Sequence, residues 1–476
     1  MRTLLVSANR CKNPMPVMPL GACMVADAAA RAGHDVRFFD CMFERRPAAA
    51  LARKLRSFKP DIVGLSIRNI DNNDMDAPIA YYRDLSSLTS AIRSNTDAEL
   101  IIGGAGVGVM PEALLAETSA SWAVLGPGET VFLEFLSAIE RGKDPKTVPG
   151  ICWLENGALK TRAKTSTAPL DACHVPDFTH WLDLRSYRSH MCTAGLQTKH
   201  GCPHKCVYCT YAITEGQQYA LADPSSIVPA ARRILTMGIR DAEFVDSVFN
   251  SPYDHAMTVC ETLARARIGL RLHTVELNPA FVTDELLIAM EQAGFASAGI
   301  TAESASDRVL EGLGKGYKAD DVFRAAQAVR RSRIPFVWFF LMGGPGETEV
   351  TIRETLHFAQ DSIRPGDVAF FNLGIRIYPG TELESIARRQ GVLKAPRDKM
   401  LSPVFYFAPE VSRKWAAAEM RKLMSEHLNF IGGASINFSY LSIIERMAHL
   451  LGDKPPLWRH TRLVRRLLRT VGMDPI

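Results

Sequence analysis

Three cysteines, Cys202, Cys206 and Cys209, stand in the segment CPHKCVYC, with Gly201 before it and Thr210 and Tyr211 after. A loop this short can turn its side chains to one side, so the spacing C-x3-C-x2-C offers three thiolates to one metal centre. Four-iron clusters held wholly by protein ordinarily use four cysteines. Three grouped ones leave one iron open to another ligand. The competing reading is a structural zinc site in which His200 or His204 supplies the fourth ligand, but the second cysteine pair usual in such sites is not nearby. The remaining cysteines, Cys11, Cys23, Cys41, Cys152, Cys173, Cys192 and Cys260, follow no framework spacing and suit reduced, mostly buried thiols.

With an aromatic residue just before its last cysteine, the segment resembles the signature of the radical S-adenosylmethionine (radical SAM) enzymes. In that family the open iron is chelated by the amino and carboxylate groups of S-adenosylmethionine, and reductive cleavage of the sulfonium yields a 5'-deoxyadenosyl radical. The resemblance implies Cys202, Cys206 and Cys209 as ligands of a 4Fe-4S cluster. It implies Tyr208 as the aromatic packed on adenine, with a core aromatic as the equal alternative. His204 and Lys205 are expected to face solvent or a reductant.

From Cys192 onward strands are expected at 192–198, 241–247, 270–277, 297–303, 335–342 and 368–377, with helices between them. Six such units fit the partial (β/α)6 barrel of the family, and the cluster loop follows the first strand, at the face where parallel barrels place their chemistry. Along that face FVDSVF, with Asp246, resembles the segment beside the amino group of S-adenosylmethionine. Glu276 in HTVELNP and Glu303 in ITAESASDRVL end the third and fourth strands and are implied to reach the cofactor's ribose or ammonium. MGGPGET follows the fifth strand, and Arg376 and Tyr378 in IRIYPGTEL close the sixth. Each carboxylate has an ordinary alternative as a helix cap or ion-pair partner, Glu303 before Ser304 among them.

The first 145 residues alternate five apolar strands with helices, which predicts a flavodoxin-like, doubly wound parallel sheet whose ligand edge is formed by the strand carboxyl ends. Placed before a radical SAM core, this domain resembles the cobalamin-binding domain of cobalamin-dependent radical SAM enzymes. The implied cobalamin contacts are Ser66, Arg68 and Asn69 after the third strand, Gly103 and Gly104 after the fourth, and Gly126 and Glu129 after the fifth. Glycine lets a backbone approach a large flat ligand closely, although a tight turn explains the Gly103-Gly104 pair equally well. Many such domains carry D-x-H-x-x-G after the first strand, whose histidine ligates cobalt. Here the loop holds Asn9, Arg10, Lys12 and Asn13, which implies a lower face without histidine, open to water, to nothing, or to Arg68 or Asn69. The alternative for Arg68 is pairing with Asp71 or Asp74.

Residues 146–190 read as a linker containing a hairpin over 151–162, turned at Asn156-Gly157, and then coil through Pro176. The core is expected over 191–400. Residues 401–476 read as a mainly helical region and possible substrate cap, with the aromatic stretch Pro403 to Pro409 near the mouth. On the last helix Arg459, Arg462, Arg466 and Arg469 recur opposite Leu463, Val464, Leu467 and Leu468, for which a solvated face over a packed one is the favoured reading. A membrane surface or a lipid-like substrate is the alternative.

Bulk properties fit this outline. A chain of 476 residues has room for two or three domains, and 47% hydrophobic with 22% charged residues is ordinary for a soluble protein. The net charge of +5 is mild and does not argue for nucleic acid. MRTLLVSANR lacks the pattern of a signal peptide, and the apolar run Ile334 to Met342 is far shorter than the ~20 residues that span a bilayer. The expectation is a cytoplasmic, cobalamin-dependent radical SAM enzyme. It would use a 4Fe-4S cluster, S-adenosylmethionine and cobalamin, and be reduced by a donor such as flavodoxin or ferredoxin. Its expected reaction is methylation of a carbon of a small-molecule or lipid-like substrate. Oxidative cyclisation, ring contraction or sulfur insertion on the same architecture is the alternative, followed by a metal-binding module without catalysis. An RNA methylthiotransferase is disfavoured, since three further grouped cysteines are missing.

Overall fold

A computed structural model describes residues 1–162, 172–433 and 441–474. The middle of the coil expected up to Pro176, residues 163–171, lies outside the described residues. Strands β1 (Arg2–Ser7), β2 (Asp35–Asp40), β3 (Ile62–Ser66), β4 (Glu99–Gly103) and β5 (Trp122–Val124) pair in parallel in the order 2-1-3-4-5. The segments LLVS, IVGL and LII are buried without alternation, because helices cover both faces of the sheet. The strand order reverses between β1 and β3, which opens a crevice there at the carboxyl edge.

The hairpin expected in the linker belongs to this sheet. β6 (Ile151–Glu155) pairs antiparallel with β5, and β7 (Ala158–Thr161) with β6, so the first sheet extends to Thr161 rather than ending near residue 145. Asn156 and Gly157 make the two-residue turn with φ of +53° and +78°, the left-handed pair that matches strand twist. Two short helices, Phe178–Trp181 and Leu184–Arg188, then fasten the linker to the first domain. The Trp181 indole donates to Asp27 at 2.8 Å and the Tyr187 hydroxyl to Asp40 at 2.7 Å.

The second sheet begins with β8 (Ala194–Leu196). The chain then leaves it for a small antiparallel pair, β9 (Lys199–His200) with β10 (Ala220–Leu221), which makes the first strand shorter than expected. β11 (Asp241–Phe244), β12 (Arg271–Leu277), β13 (Phe295–Glu303), β14 (Phe336–Met342) and β15 (Val368–Leu373) follow in parallel. The sixth expected strand breaks at Gly374, where Met75 of the first domain packs. Its remainder, β16 (Ile375–Arg376), pairs with β17 (Phe405–Tyr406). The carboxyl-terminal region is not only helical, for β18 (Phe430–Gly432) adds a seventh parallel strand beside β15. The order is 18-15-14-13-12-11-8, an open parallel sheet with no pairing between β18 and β8. Helix Leu441–Leu450 returns toward β8, close enough for Glu445 to act electrostatically on Cys192.

The loop after β3 docks the two sheets. Asp71, 4% exposed, accepts from Arg376 Nε at 2.8 Å, and Arg376, also 4% exposed, donates its other N–H groups to the carbonyls of Ile377 and Met400. Tyr378 donates to Asn73 at 2.7 Å, and Arg413 pairs with Asp76.

The last helix, Thr461–Thr470, departs from its favoured reading. Arg465 is its buried residue, held by Asp474 and by the carbonyls of Met424, His427 and Phe430. Leu463 and Leu467 face outward instead. The four-residue spacing showed which residues share a face, but the guanidinium found enough carbonyls to be the inward one.

Candidate active site between two sheet edges

The cluster loop is clasped from several directions. Cys202 N donates to Gly216 O at 3.0 Å, Val207 N to Leu313 O at 3.0 Å, and Leu383 N to Val207 O at 2.8 Å. Gly201 has φ +79°, and a Cβ there would overlap the carbonyl of Gln218, so the residue before the first cysteine has to be glycine. The three cysteines are free and close enough to influence one another electrostatically. Among the described residues no three His, Cys, Asp or Glu side chains converge tightly enough for a single metal ion. His200 bonds to Gln197, and His204 to Ser251 at 3.3 Å. Both histidines are therefore engaged elsewhere, against the zinc reading and against a solvent-facing His204. Lys205 is exposed. Three free thiols on one clasped loop, with both nearby histidines engaged by other side chains, fit a cluster.

Facing this loop, Tyr208 donates to Glu303 Oε1 at 2.6 Å, and Lys315 Nζ reaches both the same carboxylate oxygen (3.2 Å) and the Tyr208 hydroxyl (3.1 Å). Tyr208 is thus tied down by its hydroxyl, whichever group its ring packs on. Glu303 adopts φ +59°, a left-handed conformation uncommon for a residue with a side chain. Its Oε2 has no hydrogen-bond partner among the described residues. Burial opposes the Lys315 ammonium, but Tyr208, Tyr317 and Glu303 outweigh it and hold its pKa above the ordinary value. Glu276 ends β12 with no side-chain partner among the described residues. Burial, then the like charge of Glu303, push it up to about 8. An unpaired carboxyl beside an ammonium, a phenol and a half-used carboxylate suits a ligand carrying both signs of charge.

Two expected contacts are committed elsewhere. Asp246 accepts from Thr198 N (2.7 Å), Thr198 Oγ1 (2.6 Å) and Lys199 N (3.2 Å). It pins the chain leading into the cluster loop. Arg376 closes the interdomain ion pair already described. Lys315 escaped the sequence reading, although its place between Gly314 and Gly316 was a signal, since flanking glycines let a long side chain turn inward.

The edge of the first sheet is furnished differently. Ser66 pairs in register with Ser7 and Gly103 at the ends of β1, β3 and β4. A shallow, partly open cleft at the β1/β3 switch is lined by Asn9, Arg10, Arg68, Asn69 and Tyr81. Arg68 donates to Asn69 at 3.2 Å, while Asp71 is taken by Arg376. Asn9 uses its Oδ1 on Cys11 N, and its Nδ2 is buried with no partner. An orphan amide donor in a polar cleft at the switch point fits a ligand fringed with amides. Gly104, at φ +100°, is required by the protein itself, because a Cβ there would lie 2.7 Å from the Ile67 carbonyl. Gly126 is exposed in open space after β5, and Glu129 stands in the first turn of helix Gly128–Glu140.

The two edges face each other. The short helix Ala105–Val109 after β4 packs on Tyr211–Thr214, directly after the cysteines. Arg68 lies near enough to act on Tyr211 and on Glu243 of β11.

Comparison with known proteins agrees with this arrangement. A B12 binding domain matches residues 12–136, and the radical SAM superfamily matches residues 196–359. An uncharacterized methyltransferase of Pyrococcus horikoshii is 25% identical over 379 residues, covering 79% of each chain. The tryptophan 2-C-methyltransferase of Streptomyces laurentii is 22% identical over 427 residues, covering 76% of this chain and 71% of that one. In fold, the chain superposes with a TM-score of 0.86 on the radical S-adenosylmethionine methyltransferase TsrM from Kitasatospora setae, solved with cobalamin and a 4Fe-4S cluster, at 21% identity over 99% of both chains. With a B12-binding domain and a radical SAM domain in that order, their ligand edges turned toward one another, the chain is a member of the cobalamin-dependent radical SAM enzymes.

Proposed function

We propose that the protein methylates a carbon of a small-molecule or lipid-like substrate in the space between the two edges. The observation that carries this reading is their apposition: the cluster loop and the unpaired carboxyl of Glu276 on one side, the polar cleft with its orphan Asn9 amide on the other. Bound there, the cluster and S-adenosylmethionine supply one-electron chemistry and cobalamin a transferable methyl group. Cys202, Cys206 and Cys209 hold the cluster. Glu276, Lys315 and the free oxygen of Glu303 orient the zwitterion of S-adenosylmethionine, with Tyr208 fixed alongside. Ser66, Arg68, Asn69 and Gly103 line the cobalamin side, Gly126 and Glu129 extend it after β5, and Gly104 shapes the loop. Without a histidine in the loop after β1, Arg68 and Asn69 would be the polar side chains nearest a cobalamin held in that cleft. Phe407, whose neighbour Ala408 donates to Gly343 O at 2.9 Å, helps exclude water above β14.

The methyltransferases among the relatives support the reaction class. An electron donor such as flavodoxin or ferredoxin would approach beside exposed Lys205. Ten free cysteines suit the reducing cytoplasm. The test is anaerobic reconstitution with S-adenosylmethionine labelled at its methyl group. The expected result is bound cobalamin, label on cobalamin, and label on a carbon of the product. Binding of the cluster with no cobalamin, or a product without label, overturns the reading.

A further inference from the structure

Large apolar side chains exposed on this molecule are mostly isolated, as at Ile79, Ile288 and Val350, and single ones carry no message. The segment 441–474 is different. Leu450 and Leu451 are 83% and 85% exposed, Leu463 and Leu467 58% and 59%, with Met447 and Val471 also outward. Leu463 and Leu467 stand one helical turn apart, and Arg462 and Arg466, likewise a turn apart, flank them on one side. Leu450 ends the preceding helix and Leu451 follows it. Asp453, gripped by Arg459 and His460, ties that end to the start of the last helix.

The charge of the segment points the same way. It holds seven Lys and Arg against three acidic residues, against a net charge of +5 for the whole chain. All three acids are consumed internally. Asp453 is paired as above, Asp474 is held by Arg465 and Arg469, and Glu445 is buried. Arg446, Lys454, Arg462 and Arg466 remain exposed, and Arg466 has no partner among the described residues. No described helix is long and apolar enough to cross a membrane, so this face can lie on one but not span it.

We propose that this carboxyl-terminal face docks on the surface of an anionic lipid bilayer. The leucines enter the headgroup boundary while the arginines pair with lipid phosphates, the arrangement of an interfacial amphipathic helix. A rigid protein partner would require a shaped, packed counterpart to these leucines. A fluid interface accepts two apolar turns rimmed by long cationic side chains as they stand. The proposal is independent of the reaction catalysed.

The test floats the cofactor-loaded full chain with vesicles of phosphatidylcholine alone and of phosphatidylcholine containing a third phosphatidylglycerol. The expected result is binding to the anionic vesicles only, weakened by salt. Leu463→Ser with Leu467→Ser should lower partitioning about a hundredfold. Arg462→Gln with Arg466→Gln should lower it about tenfold or more. Both pairs should keep the wild-type circular dichroism and nearly the wild-type melting temperature, since the leucines are outward and Arg462 makes one exposed bond, to the Pro365 carbonyl. No flotation with anionic vesicles, equal flotation with neutral ones, or flotation indifferent to both pairs overturns the proposal. Loss of flavodoxin binding in the arginine pair, with no vesicle binding by the parent, overturns it in favour of an acidic protein.

Discussion

The two facing edges solve opposite recognition problems. On the second sheet the strand ends carry buried charge in close quarters: Glu303 with Lys315 and Tyr208, Glu276 beside them, and Asp246 locked under the cluster loop. On the first sheet the corresponding positions offer two amides, a serine, glycines and two arginines, Arg68 bonded to its neighbour Asn69 and Arg10 to the Glu44 carbonyl. A small zwitterion beside a cluster has to be oriented by charge, and charge in a low dielectric has to be paired or matched by its ligand. A broad, amide-fringed ligand is held by shape and many weak donors. Substitutions at the second sheet's edge should therefore act sharply, and those at the first sheet's edge gradually.

The sharpest test of that contrast is Cys206→Ala. After anaerobic reconstitution, iron and the charge-transfer absorption of the cluster should be lost while cobalamin binding persists. Loss of both would mean that the edges are not separable. Next in size is the ion pair that joins them. Arg376→Met strands a buried Asp71 and should cost about 3–5 kcal/mol, read as a fall in the denaturation midpoint. Asp71→Leu combined with Arg376→Met should recover most of it, and no recovery would show that shape rather than charge sets the junction.

Glu445 probes the seam on the far side of the second sheet. An ordinary glutamate ionises near 4.3 in an unfolded chain, whereas burial pushes Glu445 up to about 8. Between those values the folded state holds the extra proton, so its stability falls as pH rises through that window. Glu445→Gln should match the parent at pH 4 and exceed it at pH 8.5 by on the order of 2 kcal/mol. A constant difference across pH would place the carboxyl in water. Smaller still, Glu276→Gln should weaken S-adenosylmethionine by about tenfold with iron content unchanged. Asn9→Ala should weaken cobalamin by only about fivefold, and a complete loss would reverse the contrast between the edges.

Much of this was legible along the chain. The strand ends of the second sheet announce themselves because each apolar run stops at a polar residue, and the cysteine spacing is local. What escaped depends on partners distant in sequence. Asp246 meets Thr198 from 48 residues away, and Arg376 meets Asp71 from 305, so a carboxylate or guanidinium at a strand end looks equally available whether or not another loop has claimed it. β18 is three residues long, too short to show a period. The last helix displayed its periodicity, yet a moment says which residues travel together and not which side meets protein.

The position of β18 also bears on how the molecule is made. The first sheet is complete once Thr161 has emerged, its hairpin already covering the β5 edge that would otherwise pair with another chain. The second sheet waits for Phe430–Gly432, more than two hundred residues after the cysteines have appeared. During synthesis the nascent protein therefore has a finished cobalamin half and an unfinished iron half, its three thiols present before the β15 edge is covered. The frame that the cysteines need is thus completed last, against a neighbour already folded.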